Sequence, residues 1–213
     1  MDYQQAITGL RKAYNQESAA QRDKTDKDTW KVAERQQFLT LLQQENKQTL
    51  LEIGAGTGTD SLFFHNNGQR VMCTDLSPAM VERCRAKGLE AHVRDFLSLD
   101  FPPASFEAIY ALNCLLHVPT NDLPAVLAKI QQLLCPGGLF FLGVYGAVEE
   151  KEGIDESDWH NPPRFFAWHT DAFMQQITSQ FFELVSFKTI PLEDSAWHFQ
   201  ALVLRRGVGQ ETN

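Results

Sequence analysis

At 213 residues, with 43% hydrophobic and 22% charged side chains, the chain has the make-up of one globular domain rather than of a disordered or fibrous protein. A formal charge of −8 argues against a broad surface for DNA or RNA, whose binding rests on phosphate neutralisation by Lys and Arg. No uninterrupted apolar run nears the roughly 18 residues of a membrane span, and the polar start Met1-Asp2-Tyr3-Gln4-Gln5 has no signal-peptide pattern. A cytoplasmic address with no nucleic-acid or membrane partner is therefore expected.

Residues 2–48 are polar with a helical pattern, Leu10 and Tyr14 falling on a first segment and Trp30, Phe38, Leu41 and Leu42 on a second. Between them lies the mixed-charge run 21–28, expected to face water and, with the rest of 1–28, to be mobile without ligand. From residue 49 short apolar runs alternate with helical segments. Thr49–Ile53 reads as a strand, Gly54-Ala55-Gly56-Thr57-Gly58 as a sharp turn, and the following residues to about 66 as a helix. Residues 70–74 form a second strand that closes on Asp75; Ser77-Pro78 then supplies an N-cap and a first-turn proline for a helix to 87, with Gly88 as its C-terminal cap.

Glu90–Val93 is a third strand, ending at Arg94-Asp95-Phe96, and Phe106–Leu112 a fourth, followed by Asn113-Cys114-Leu115-Leu116-His117. An amphipathic helix places Leu123, Val126, Leu127, Ile130, Leu133 and Leu134 on one face. Cys135-Pro136-Gly137-Gly138 stops it before a fifth, almost wholly apolar strand at 139–145. This βαβα rhythm predicts an α/β fold whose parallel sheet is covered on both faces. Beyond it come an acidic stretch at 149–158, read as a solvated loop, an aromatic stretch at 159–168 and a short helix from about Thr170. Strand-like runs at 181–189 and 196–205, joined by 191–195, are expected to pair as a hairpin at one sheet edge. The tail from Gly207 is expected to be disordered.

Open α/β sheets bind ligands at the carboxyl ends of their strands, near the point where strand order reverses. The glycine turn there brings bare backbone close to a ligand. Asp75 suits a ribose, because a carboxylate accepts from both vicinal hydroxyls, and Asp95 suits an exocyclic amine; together they describe an adenosine site.

With these residues in place, positions 49–145 resemble the core of the class I S-adenosylmethionine-dependent methyltransferases. Glu52-Ile53-Gly54-Ala55-Gly56-Thr57-Gly58 is similar to that family's acid-x-Gly-x-Gly-x-Gly loop against the methionine portion of the cofactor, and Asp75 with Leu76, Ser77, Pro78 and Met80 to its ribose-binding segment. Asp95-Phe96 resembles its adenine position, and Pro136-Gly137-Gly138 its turn before strand five. The resemblance implies a Rossmann-like, seven-stranded, mostly parallel sheet ending in an antiparallel hairpin. It also implies S-adenosyl-L-methionine as cofactor, and a methyl acceptor covered by the N-terminal helices and the segment after strand five. Glu52, Gly54, Ala55, Gly56, Gly58, Asp75, Leu76, Met80, Asp95, Phe96 and Asn113 are the expected cofactor residues. The chain is expected to act on a small molecule, as a monomer or homodimer, with a helical cap at 1–48, a cofactor core at 49–145, a lid at 146–170 and a C-terminal helix and hairpin at 171–206.

A nicotinamide-dependent dehydrogenase shares the strand, turn and ribose acid, but its Gly-x-Gly-x-x-Gly fingerprint needs glycine where Thr59 stands. Asn161-Pro162-Pro163-Arg164 resembles the Asn-Pro-Pro-aromatic motif of amino-methyltransferases, yet lies after strand five and ends in Arg, so it reads as a rigid loop. A protein or tRNA methyltransferase and a non-catalytic cofactor-binding module are the remaining alternatives.

The direct displacement implied asks the protein to position its reactants and, where needed, deprotonate the acceptor. His117 is the candidate base, the alternative being a histidine at a helix start bonded to backbone. Tyr14, Trp159, His160, Phe165 and Trp168 are candidate substrate-binding residues, against simple packing of aromatic surface. The six histidines form no His-x-x-x-His or Cys-His cluster, so no metal site is expected, and Cys73, Cys84, Cys114 and Cys135 read as free thiols.

Overall fold

The computed structural model describes residues 2–15, 28–192 and 197–209. The expected water-facing run at 21–27 and the centre of the 191–195 connection lie outside these residues. Helix α1 (Tyr3–Asn15) opens with a reciprocal cap, the Asp2 carboxylate accepting from Gln5 N at 2.8 Å and the Gln5 amide oxygen from Asp2 N. Helix α2 is Thr29–Gln44. The alternating core follows as β1 (Thr49–Ile53), α3 (Thr59–Asn66), β2 (Arg70–Asp75), α4 (Pro78–Ala86), β3 (Glu90–Val93) and β4 (Phe106–Leu112). A single 3-10 turn, Leu115–His117, leads toward α5 (Leu123–Leu133) and β5 (Leu134–Gly146). Strands β6 (Lys151–Ile154) and β7 (Phe165–Trp168), helix α6 (Asp171–Ser179), and strands β8 (Glu183–Pro191) and β9 (His198–Arg205) complete the order.

Seven strands form one sheet in the order β3-β2-β1-β4-β5-β9-β8, parallel from β3 through β5, with β9 antiparallel to both of its neighbours. The C-terminal hairpin therefore sits at a sheet edge, as expected. Residues alternate between the two faces, which explains two separate cores. Leu51, Ile53, Ile109, Ala111, Phe140 and Leu142 pack with α1, α5 and α6. Leu50, Ala108, Tyr110, Leu139 and Phe141 pack with α2, α3 and α4.

Three local readings change. Strand β5 begins at Leu134, ahead of the glycines: its pairing with β4 jumps from Phe106–Leu134 to Ala108–Leu139, so Cys135-Pro136-Gly137-Gly138 bulges from the strand instead of preceding it. Residues 151–154 are not loop but pair with 165–168 as a two-stranded antiparallel sheet. The acids in and around this strand made it look like loop, yet each meets a donor: Glu152 accepts from Thr120 N and Oγ1, Glu150 from Thr170 N and His169, and Asp158 from Arg164. Last, Gly207 is buried next to Arg206, whose backbone exchanges hydrogen bonds with Gly137 N and Gly138 O, so the chain is still packed at Gly207; residues 210–213 of the expected disordered tail lie outside the described residues. Among the described residues no helix is long and apolar enough to cross a membrane.

Candidate active site

Parallel pairing aligns the carboxyl ends of four strands. Ile53 lies beside Thr74, Asp75 beside Val93, and Glu52 beside Tyr110, so the residues that follow β1, β2, β3 and β4 meet at one edge. Strand order reverses between β1 and β4, the place where such sheets open a crevice. A cleft with about 680 Å³ of empty space, its open mouth included, occupies that position. Gly54, Gly56, Asp75, Leu76, Met80, Asp95, Phe96, Asn113, His117 and Tyr14 line it, all expected from the sequence.

The three glycines of the turn do different things. A Cβ on Gly54 would run into Cys114, and one on Gly58 would lie 2.9 Å from Cys84 Sγ and 3.0 Å from Leu89 Cδ1. On Gly56 it would meet nothing within 4 Å, because that position faces the open cleft. The Asp75 carboxylate is preset, accepting from Gly56 N and Ser77 N at 2.8 Å each. Asn113, at φ +53°, lines the cleft with a buried Oδ1 that has no hydrogen-bond partner among the described residues. An orphaned buried acceptor in a cleft is a place for a ligand donor.

Asp95 accepts from Leu97 N, Ser98 N, Ser98 Oγ and, at 3.1 Å, the Tyr3 hydroxyl. Burial alone raises its carboxyl, but these bonds outweigh that and hold it below the ordinary range. The same contact, after burial, pushes the Tyr3 phenol well up. Burial likewise raises the Cys114 thiol, an inert packing residue whose Sγ donates to Ile53 O.

Glu52, Ala55 and Gly58 do not reach the cleft. Glu52 is buried beneath the turn, where it accepts from Ser61 Oγ and ties β1 to α3. Among the residues expected on the acceptor side, Tyr14 and His117 meet directly, Tyr14 Oη standing 2.9 Å from His117 Nε2. His117 Nδ1 lies 2.7 Å from Phe165 O, so it is Phe165's carbonyl, not its ring, that enters the arrangement; the ring is buried against Ala6. His160 stands behind Tyr14 with rings 5.5 Å apart. Trp159 is 64% exposed over His160, and Trp168 stacks on Phe166, both outside the cleft lining.

Ile7, Leu10, Arg94, Leu112 and Cys114 also line the cleft and were not expected there. Ile7, Leu10 and Tyr14 share a helical face, which marks a buried face but not what it covers. Arg164, which the sequence marks only as the end of a rigid loop, also joins the site. Its Nε and Nη2 fork onto Asp158 at 2.8 and 2.9 Å, while Nη1 donates to Tyr14 Oη at 2.7 Å. Burial raises the Asp158 carboxyl, but bonds from Arg164 and His160 override it and hold the group well below the usual carboxylate range.

Sheet order and cleft define a Rossmann-like α/β cofactor-binding protein. Residues 50–138 match the family described as a methyltransferase domain. Malonyl-[acyl-carrier protein] O-methyltransferase of Serratia marcescens is 29% identical over 107 residues, 49% of this chain and 41% of that one. Carboxy-S-adenosyl-L-methionine synthase of Pseudomonas fluorescens is 37% identical over 110 residues, 44% and 43% of the two chains. This chain thus spans about two fifths of the length of these curated relatives. The crystal structure of Burkholderia thailandensis 1,6-didemethyltoxoflavin-N1-methyltransferase, with 1,6-didemethyltoxoflavin and S-adenosylhomocysteine bound, shares the fold at a TM-score of 0.76 and 20% identity, over 97% of this chain and 91% of that one. Over residues 50–138 the chain is thus similar to the methyltransferase-domain family, and its fold is that of an S-adenosylmethionine-dependent methyltransferase.

Proposed function

We propose that the chain is a single-domain cytoplasmic enzyme that transfers the methyl group of S-adenosylmethionine to a small-molecule acceptor. The observation that carries the reading is the cleft itself. Its floor is the strand-end edge with Gly56, Asp75, Asp95 and Asn113, and its wall is α1, which contributes Ile7, Leu10 and Tyr14 and leaves room for a small ligand. In this reading Gly56 lets the backbone approach the methionine portion while Gly54 seats the turn on Cys114, Asp75 accepts from the ribose hydroxyls, Asp95 faces the adenine amine, and Leu76 and Phe96 flank the base. Asn113 Oδ1 accepts from a donor of the cofactor. Glu52, Ala55 and Gly58 act from behind by shaping the turn.

When bound, S-adenosylmethionine supplies a methyl group already activated by a sulfonium, so the residues of the chain have only to orient, exclude water and move a proton. The 1,6-didemethyltoxoflavin-N1-methyltransferase, which holds 1,6-didemethyltoxoflavin, aligns over 97% of this chain, which supports a small acceptor here. A net charge of −8 disfavours a tRNA acceptor. Titration calorimetry with S-adenosylmethionine measures the shared premise, and S-adenosylhomocysteine release against a metabolite panel measures turnover. A protein that ignores S-adenosylmethionine and binds a nicotinamide dinucleotide overturns the proposal.

A further inference from the structure

We propose that Tyr14, rather than His117, is the group that meets the methyl acceptor, and that the two form a proton relay in which His117 is the second carrier and Arg164 a positioning residue. The inference rests on the methyltransferase reading and narrows it to acceptors that bring a removable proton, a hydroxyl or an N–H.

The hydrogen bonds set the direction. Phe165 O can only accept, so His117 Nδ1, 2.7 Å away, carries the ring proton. In the neutral ring Nε2 is then an acceptor, and the Tyr14 hydroxyl at 2.9 Å is its donor. Both nitrogens of a ring that is 4% exposed are engaged, so proton removal from an acceptor by His117 runs through Tyr14. Tyr14 Oη in turn accepts from Arg164 Nη1 at 2.7 Å. That guanidinium is held by its two-bonded fork on Asp158, whose side chain is 3% exposed. A fixed cationic donor on the phenol oxygen stabilises the negative charge that develops there as its proton leaves.

The relay balances. The acceptor atom exchanges its hydrogen for the methyl group, the carbon–sulfur electron pair staying with sulfur. The acceptor's proton passes to Tyr14 Oη as Tyr14's own proton passes to His117 Nε2. His117 ends as an imidazolium with one N–H on Phe165 O and the other on Tyr14, so the positive charge lost at sulfur reappears on the ring. Ile7, Leu10 and Leu112 give the cleft an apolar wall, while its charged lining, Asp75, Asp95 and Arg94, is of mixed sign. The preference for a neutral acceptor therefore rests on the proton: a carboxylate arrives without one to give.

Two measurements decide the matter. In the ligand-free protein, nitrogen NMR of the imidazoles is expected to show His117 with its proton on Nδ1, and Tyr14→Phe to move the Nε2 resonance by removing its donor. A proton on Nε2 overturns the relay. With S-adenosylmethionine and a panel of phenols, heteroaromatic N–H compounds and carboxylates, S-adenosylhomocysteine release is expected from the first two groups. Tyr14→Phe and His117→Ala should each lower kcat by about 100-fold or more, the usual worth of a proton-transfer group, with calorimetric affinity for S-adenosylhomocysteine retained. Arg164→Gln should lower kcat without raising KM for S-adenosylmethionine, and Arg164→Lys should recover part of the loss. Turnover confined to carboxylates, or a wild-type rate in Tyr14→Phe, overturns the proposal. Absence of S-adenosylhomocysteine binding in the wild type instead overturns the methyltransferase reading itself.

Discussion

Gly54 and Gly56 occupy the same turn at similar backbone angles, φ +68° and +55°, yet a methyl group added to each meets opposite surroundings. Either alanine would hold a left-handed backbone at a cost of about 1–2 kcal/mol. For Gly54→Ala the new Cβ would also lie deep inside van der Waals contact of Cys114 Cβ and 3.0 Å from its Sγ. A Cβ cannot swing aside, so overpacking adds about 1–3 kcal/mol and the total loss is about 2–5 kcal/mol. Gly56→Ala has no clash, and its loss stays at about 1–2 kcal/mol, but its methyl fills the cleft where the ligand is proposed to lie. Affinity for S-adenosylhomocysteine should fall about tenfold or more, at least about 1.4 kcal/mol. Urea unfolding reads the first quantity and calorimetry the second. Measured against Cys114→Gly alone, adding Gly54→Ala should cost only the left-handed-backbone part. Equal stability losses in the two single variants, or wild-type binding by Gly56→Ala, would refute the assignment of one glycine to packing and the other to the ligand.

Asp75→Ala should leave a folded protein with affinity for S-adenosylmethionine weakened by about 1–3 kcal/mol, the range for bonds to a charged group; unchanged calorimetric affinity rules out the ribose role. Asp60→Ala strands Arg35, whose Nη1 now sits 2.7 Å from Asp60 with side chains 11% and 6% exposed, and should cost about 3–5 kcal/mol in urea unfolding. The Asp158 carboxyl is held low in the folded state, so its contribution is full above the unfolded value near ~3.9 and fades as pH falls toward the folded one. Stability followed by tryptophan fluorescence should therefore drop below about pH 4 in the wild type, and drop less steeply in Asp158→Asn.

The parts of the molecule that could be read from the residues alone are those where local pattern and global position coincide. Each strand of the parallel core is a short apolar run, and parallel topology carries every strand end to the same edge, so Gly56, Asp75, Asp95 and Asn113 could be gathered into one site without coordinates. Strand β6 escaped notice because an edge strand that faces water keeps a charged, loop-like composition, and the start of β5 because a bulge at Gly137-Gly138 looks like a turn. Glu52 shows the opposite failure: it occupies a motif position, yet its carboxylate is spent on Ser61 under the turn and never reaches the cleft.

On the acceptor side Tyr14 and His117 could be named from the sequence, but their arrangement with Arg164 could not. Tyr14 and His117 are 103 residues apart, and Tyr14 and Arg164 are 150 apart, so no window of sequence contains two of them. What joins them is tertiary: α1 lies across the strand ends, the turn after β4 lifts His117 into the cleft, and the β6–β7 sheet delivers Phe165 O and Arg164 from the far side. Asp158 touches only Arg164 and His160 among these residues, yet it fixes the fork that holds the tyrosine. Asp158→Asn keeps the shape but loses the charge that orients Arg164, so it should lower turnover while leaving S-adenosylhomocysteine affinity intact. A parallel fall in both would mean that the β6–β7 segment supports the cofactor side of the cleft as well, and that the two halves of the site are not energetically separate.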